Sequence, residues 1–196
     1  MGGGSREDRI SRRRTRAFLF FVLLALGSPT PAAVTELSPA DGIGRYAQLV
    51  RLYPESAPYY NALGYYQFKA GYLEEAEASY LRALGIDQCY ALAHNNIGIV
   101  YLHQRKPEQA EAYFRQALAI SPAYVKAQYN LAVALFRQRR YIDAVKAYLA
   151  AQKQDWAYVH GRGDPEKMKA AFDEANKDPE TKVELDRIRQ EYSCPN

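Results

Sequence analysis

Cysteine is almost missing from this chain of 196 residues, which has only Cys89 and Cys194. The three histidines, His94, His103 and His160, stand at no zinc-ligand spacing with acidic or cysteine partners. Hydrolase and nucleotide signatures are missing as well: there is no Gly-X-Ser-X-Gly elbow, no glycine loop to cradle phosphate, and no evident base for Cys89. The chain therefore reads as a non-enzyme with no cofactor and no metal. Net charge is lacking too, once the N-terminus is set aside. Residues 1–33 carry 6 of the 26 Lys and Arg and 2 of the 22 Asp and Glu, so the remainder holds 20 of each. The formal +4 then belongs to the leader, and it gives no warrant for a nucleic-acid partner.

Long apolar runs are scarce, and the single one lies at the start. Arg12, Arg13, Arg14 and Arg16 precede the apolar residues 17–26, and Gly27, Ser28, Pro29, Thr30, Pro31, Ala32 and Ala33 follow. A positive segment, an apolar stretch shorter than the ~20 residues a membrane helix needs, and small residues afterwards describe an export signal, with cleavage after Ala32 or Ala33. The alternative is an uncleaved signal anchor over residues 17–27, the one route by which a membrane would enter. Ser11-Arg12-Arg13 resembles a twin-arginine motif, but Thr15 and Arg16 stand where that motif prefers apolar residues. Lipidation finds no support, since no Cys follows the apolar run.

What the chain does contain is repetition at 34 residues. Leu63-Gly64, Ile97-Gly98 and Leu131-Ala132 align, as do Ala76/Ala110/Ala144, Tyr80/Phe114/Tyr148 and Ala83/Ala117/Ala151. Such a period marks one supersecondary element that cannot hide its apolar face alone and stacks on its neighbours. Inside a unit the spacing is helical: Tyr60, Leu63, Gly64 and Gln67 share one face, and Ala76, Tyr80, Ala83 and Leu84 another. Two helices per unit follow, separated at Ala70-Gly71, Arg105-Lys106-Pro107 and Arg139-Arg140, with Pro107 suited to a first helical position. The Gly/Ala columns let paired helices approach closely, and Tyr80, Phe114 and Tyr148 fill the space beside them.

Leu-Gly, Tyr101, Ala110, Phe114, Ala117 and Pro122 in the middle unit resemble the tetratricopeptide repeat (TPR). The resemblance covers units 57–90, 91–124 and 125–158. It implies an all-α fold, a short right-handed α-solenoid of helix-turn-helix units with helical caps. The unit-ending proline column reads Pro54, Gln88, Pro122, Trp156, so the end units depart from the pattern. Pro54 implies a half-repeat over 34–56, with a helix start at Ser38-Pro39-Ala40-Asp41 and a buried face of Tyr46, Leu49, Val50 and Tyr53. Residues 159–196 read as charged capping helices and a tail. Asp164-Pro165 and Asp178-Pro179 start helices over 165–177 and 179–192. Asp164 also ends an Arg-Gly-Asp tripeptide of the kind some adhesion receptors read, but a helix cap accounts for it. Cys89 and Cys194 either pair after export or stay independent thiols, and spacing does not decide between these.

The inner faces of the first helices would form the concave surface of the stack. One stripe there carries Asn61, Tyr65 and Lys69, then Asn95, Ile99 and His103, then Tyr129, Val133 and Arg137; Asn96 and Asn130 recur one position over, and Lys126 adds a charge. Amides carry donors and acceptors together and can pair with the backbone of an extended peptide. The arrangement resembles the asparagine ladder of TPR superhelices that hold extended polypeptides. It matches the carboxylate clamp of cochaperone repeats only at Asn96 and Lys126. Glu74, Glu75 and Glu77 read as a solvated helix start. Two functions stay open. One is an exported adaptor, periplasmic or secreted, that captures a protein or peptide segment in envelope or secretion assembly. The other is a structural or self-associating module, a homo-oligomer included, that packs through its 17 tyrosines without a peptide ligand.

Overall fold

The computed structural model describes residues 37–161, 173 and 176–192. The export segment, most of the helix expected over 165–177, Asp164 and Cys194 lie outside them; Cys89 is exposed. Seven helices of 13 or 14 residues succeed one another: α1 Pro39–Leu52, α2 Ala57–Lys69, α3 Leu73–Ile86, α4 Ala91–His103, α5 Pro107–Ile120, α6 Val125–Arg137 and α7 Tyr141–Gln154. A short α8, Trp156–Gly161, and α9, Pro179–Tyr192, complete the described chain. It is an all-α solenoid.

Local chemistry sets where the helices start and stop. Ser38 caps α1 by accepting from the Asp41 N–H at 3.2 Å, and Pro39 and Pro107 occupy first-turn positions where no N–H is needed. Each α2, α4 and α6 ends in the same way. Gly71, Arg105 and Arg139 take left-handed φ values of 87°, 61° and 60°. The following N–H groups, of Tyr72, Lys106 and Arg140, reach back to the carbonyls of Gln67, Tyr101 and Leu135 at 2.9, 2.9 and 3.0 Å. This is the Schellman closure, where glycine is the unstrained residue. Arginine there carries a cost of roughly 1–2 kcal/mol, so units two and three hold strain that unit one avoids.

The aligned small residues do set the helix spacing. A Cβ on Gly64 would lie 2.7 Å from the Tyr80 ring, and one on Gly98 2.5 Å from the Phe114 ring, distances no real Cβ reaches. Ala76, Ala110 and Ala144 are fully buried on the facing helices. Successive first helices also touch, α2 with α4 and α4 with α6, whereas among the described residues no contact of like extent joins α3 to α5 or α5 to α7. The stack therefore closes on the side of the first helices, which is its concave face.

Polar latches join one unit to the next. Glu77 accepts from the Tyr101 hydroxyl at 2.7 Å and from Gln104 Nε2 at 3.2 Å. One unit on, Glu111 accepts from Gln138 at 2.7 Å and from Arg140 at 2.8 Å. Glu77 is thus not the solvated residue expected at a helix start, because the next unit's first helix lies over it. Tyr53 departs as well: it caps the end of α1 and is 55% exposed, while Tyr46, Leu49 and Val50 are half-buried. At the far end Asp178 caps α9 by accepting from the Thr181 N–H at 2.8 Å, and Glu184 sits 3.4 Å from Lys146 of α7.

Candidate functional site

The concave face holds a cleft of about 430 Å³ built by α2, α4 and α6 with the edge of α1. Helical spacing brings Asn61 and Tyr65 of α2, Asn95, Asn96 and Ile99 of α4, and Lys126 and Asn130 of α6 to its wall, as the sequence stripe implies. Tyr46, Tyr66, Phe68, Leu92 and Tyr124 add an aromatic and apolar part to the lining. A second cleft, about 450 Å³, lies at the other end of α4 and α6, where His103, Arg105 and Arg137 meet Leu102 and Pro107.

The asparagines are not the open hydrogen-bonding groups the sequence implies. Asn130 Nδ2 donates to Asn95 Oδ1 at 2.9 Å, Asn95 Nδ2 to Asn96 Oδ1 at 3.3 Å, and Asn96 Nδ2 to Asn61 Oδ1 at 2.9 Å. The four amides form one chain across three helices. Asn61, Asn95 and Asn130 are correspondingly buried, and Asn96 half-buried. A buried amide left unpaired is costly, so these groups satisfy one another first. They make the floor of the cleft, with residual capacity at the two ends of the chain, Asn61 Nδ2 and Asn130 Oδ1. A signal for this was present: both inter-helix rungs join residues 35 apart, one more than the repeat, as a diagonal bond between neighbouring helices requires. The Glu77–Gln104 and Glu111–Gln138 latches share an offset of 27 in the same way.

Four other groove assignments need correction. Tyr129 is 7% exposed and belongs to the core, its ring 6.4 Å from that of Tyr148 and 6.3 Å from that of Tyr158. The short α8 brings Tyr158 there, 34 residues after Tyr124, and Tyr129 stands at the position that Asn61 and Asn95 hold in the earlier units. Val133 packs half-buried against the same cluster. Lys69 stands 5.8 Å over the Tyr65 ring, and His103 meets Phe68 edge-on at 4.8 Å, so neither is a bare surface cation. Arg137 donates to the Leu102 carbonyl at 2.5 Å, bridging two units while lining the second cleft.

Five tyrosine rings extend the aromatic wall toward α1. Tyr53 meets Tyr59 at 5.6 Å, Tyr59 meets Tyr46 at 6.4 Å, Tyr46 stacks on Tyr66 at 5.5 Å and Tyr66 meets Tyr65 at 5.2 Å. Tyr80 lies at the cleft's base, where burial and then the neighbouring Tyr65 push its hydroxyl pKa up. The Tyr101 hydroxyl is likewise raised, mainly by its hydrogen bond to Glu77. No group of His, Cys, Asp and Glu able to hold a metal ion occurs among the described residues.

No curated protein matches this chain. Among solved structures, the chain is similar to MamA, at 24% identity and a TM-score of 0.57, over 62% of this chain and 71% of that one. It is also similar to the first TPR of Spaghetti (RPAP3), whose structure holds the HSP90 peptide SRMEEVD, at 21% identity and a TM-score of 0.51 over 69% and 91% of the two chains. The family model for the tetratricopeptide repeat matches residues 31–93 and again 95–159. With that match over well above half its length and the helix-turn-helix stack it folds into, the chain belongs to the tetratricopeptide repeat family.

Proposed function

We propose that the protein is an exported scaffold that binds an extended peptide segment of a partner protein in its concave groove, within envelope or secretion assembly. The observation that carries the groove is the cleft of about 430 Å³, whose wall includes the exposed Tyr65 and Leu92, the half-buried Ile99 and the cation Lys126. A concave, mostly apolar hollow with few polar groups is the usual form of a binding site, and the inner faces of solenoids are their usual binding faces. The peptide held by the first TPR of Spaghetti is an instance of such use of the fold. The leader over residues 1–33 supports export, and its composition rather than its structure is the argument.

A photo-crosslinker at Tyr65 or Lys126 tests the groove, with one at Leu81, 43% exposed on the second-helix row, as control. Capture of one dominant partner from the groove positions and not from Leu81 supports the reading; equal capture from all three, or loss of no partner on Ile99→Asp, counts against it. Mass spectrometry of the native N-terminus tests export. A new terminus at Ala33 or Val34 supports it, and retention of residues 1–33 in soluble cytoplasmic protein ends it. The self-associating alternative draws on Leu52 and Trp156, which are 70% and 62% exposed. Light scattering showing a stable oligomer whose formation blocks Tyr65 would favour it.

A further inference from the structure

We infer that the groove selects peptides with an internal acidic residue placed about four positions from an apolar or aromatic one, the acidic group being taken by Arg105 and Arg137. This deepens the groove reading and rests on it.

The two clefts share α4 and α6. Asn95 and Ile99 face the aromatic cleft and His103 the cationic one, while Lys126 and Asn130 of α6 face the first and Arg137 the second. From Asn95 to His103 is eight residues of helix, about 12 Å at ~1.5 Å per residue. An extended peptide covers that in about four residues at roughly 3.3 Å each. The lining of the second cleft, Leu102, His103, Arg105, Pro107 and Arg137, contains no carboxylate. Arg105 makes no ion pair among the described residues, and Arg137 donates to the neutral Leu102 carbonyl. Arg139, which holds the equivalent position one unit on, does not line this cleft, and its neighbour Arg140 is already neutralised by Glu111 and Asp143.

Arg105 is also the residue that chain geometry least favours at its position. The equivalent closure of unit one uses Gly71, and Arg105 holds the same left-handed turn under strain. Arg139 shares that backbone strain, so what sets Arg105 apart is the cleft without counter-charge that it lines, which suits a guanidinium to clamp an anion. Arginine further offers a planar fork that matches a carboxylate with two parallel bonds.

The test uses the full chain and a fluorescein-labelled peptide, C-terminally amidated so that it offers no terminal carboxylate. It carries one phenylalanine and, four positions on, Asp-Glu in a glycine–serine background. One companion replaces Asp-Glu by Asn-Gln, and another replaces phenylalanine by serine. By fluorescence anisotropy the acidic peptide should bind about tenfold tighter than its amide twin, with the advantage shrinking as salt is raised. Arg105→Gly should erase that advantage, leave the dependence on phenylalanine intact and not lower the melting temperature. Equal binding of acidic and amide peptides, or a preference that survives Arg105→Gly together with Arg137→Gln, overturns the inference. If binding then still depends on phenylalanine and is lost on Ile99→Asp, the groove itself stands. Absence of binding by all three peptides removes both.

Discussion

Adding one methyl group at Gly98 and one at Gly44 separates packing from helix propensity. Both glycines lie inside helices and neither has a left-handed φ, so Ala gains each helix about the same, ~0.8–1.0 kcal/mol. At Gly44 the new Cβ meets nothing within 4 Å, and that gain should appear in full. At Gly98 the Cβ would stand 2.5 Å from one Phe114 ring carbon and 2.8 Å from two others, about 1 Å inside ordinary contact. Phe114 is fully buried and cannot swing into solvent. Forcing it costs about 1–3 kcal/mol, which cancels or outweighs the propensity gain. Gly98→Ala should therefore fall below Gly44→Ala by about 1–3 kcal/mol. At ~2–4 °C per kcal/mol for a domain of this size, their melting temperatures should differ by about 2–12 °C, read by circular dichroism. Gly98→Leu should fall further. If Gly98→Ala rises as far as Gly44→Ala, the helix pair is not held at the spacing described, and the packing argument fails.

Asn95→Ala strands the Asn130 donor and the Asn96 acceptor, and should cost about 1–3 kcal/mol in urea unfolding; a neutral result would mean water replaces the rungs freely. Tyr80 and Tyr101 have folded pKa values raised above their unfolded value of about 10. Their contribution is thus complete below pH 10 and is lost as pH rises through the folded values. Tyrosinate absorbance should show these two rings ionising together with loss of helix, and their titration in the folded protein near pH 10 would contradict this. Hydrogen bonds from Thr181 hold Asp178 below the usual carboxylate range, and Arg187, then Lys146, does so for Glu184. That contribution is present above pH 4–5 and is lost as pH falls through the lowered values, so α9 should become protease-sensitive in acid before α2 to α7 do. Simultaneous digestion of both regions would refute a separately docked α9.

The 34-residue period made the helix pairs legible because Gly64 and Gly98 meet Tyr80 and Phe114 in the same way, and Ala132 and Tyr148 recur in the same two columns. Helix starts at Ser38, Pro107 and Asp178 were legible for a local reason, since capping needs only neighbours in sequence. The groove was legible as a stripe but not as chemistry. Whether an asparagine amide faces a ligand or another amide depends on the lateral shift between neighbouring helices, which enters the sequence only as an offset of 35 between Asn61 and Asn96 and between Asn95 and Asn130. Tyr129 was misplaced because a ring replaces the amide of Asn61 and Asn95 at that position, and Tyr148 and Tyr158 pack against it. Glu77 was misread because its partner, Tyr101, sits on the next unit.

The diagonal amide rungs give the two sides of the stack different mechanical character. Hydrogen bonds weaken as they lengthen and misalign, whereas among the described residues the second helices make no contact of like extent with one another. The inner edge then behaves as an inextensible seam, and any bending of the superhelix is accommodated by spreading or closing of α3, α5 and α7.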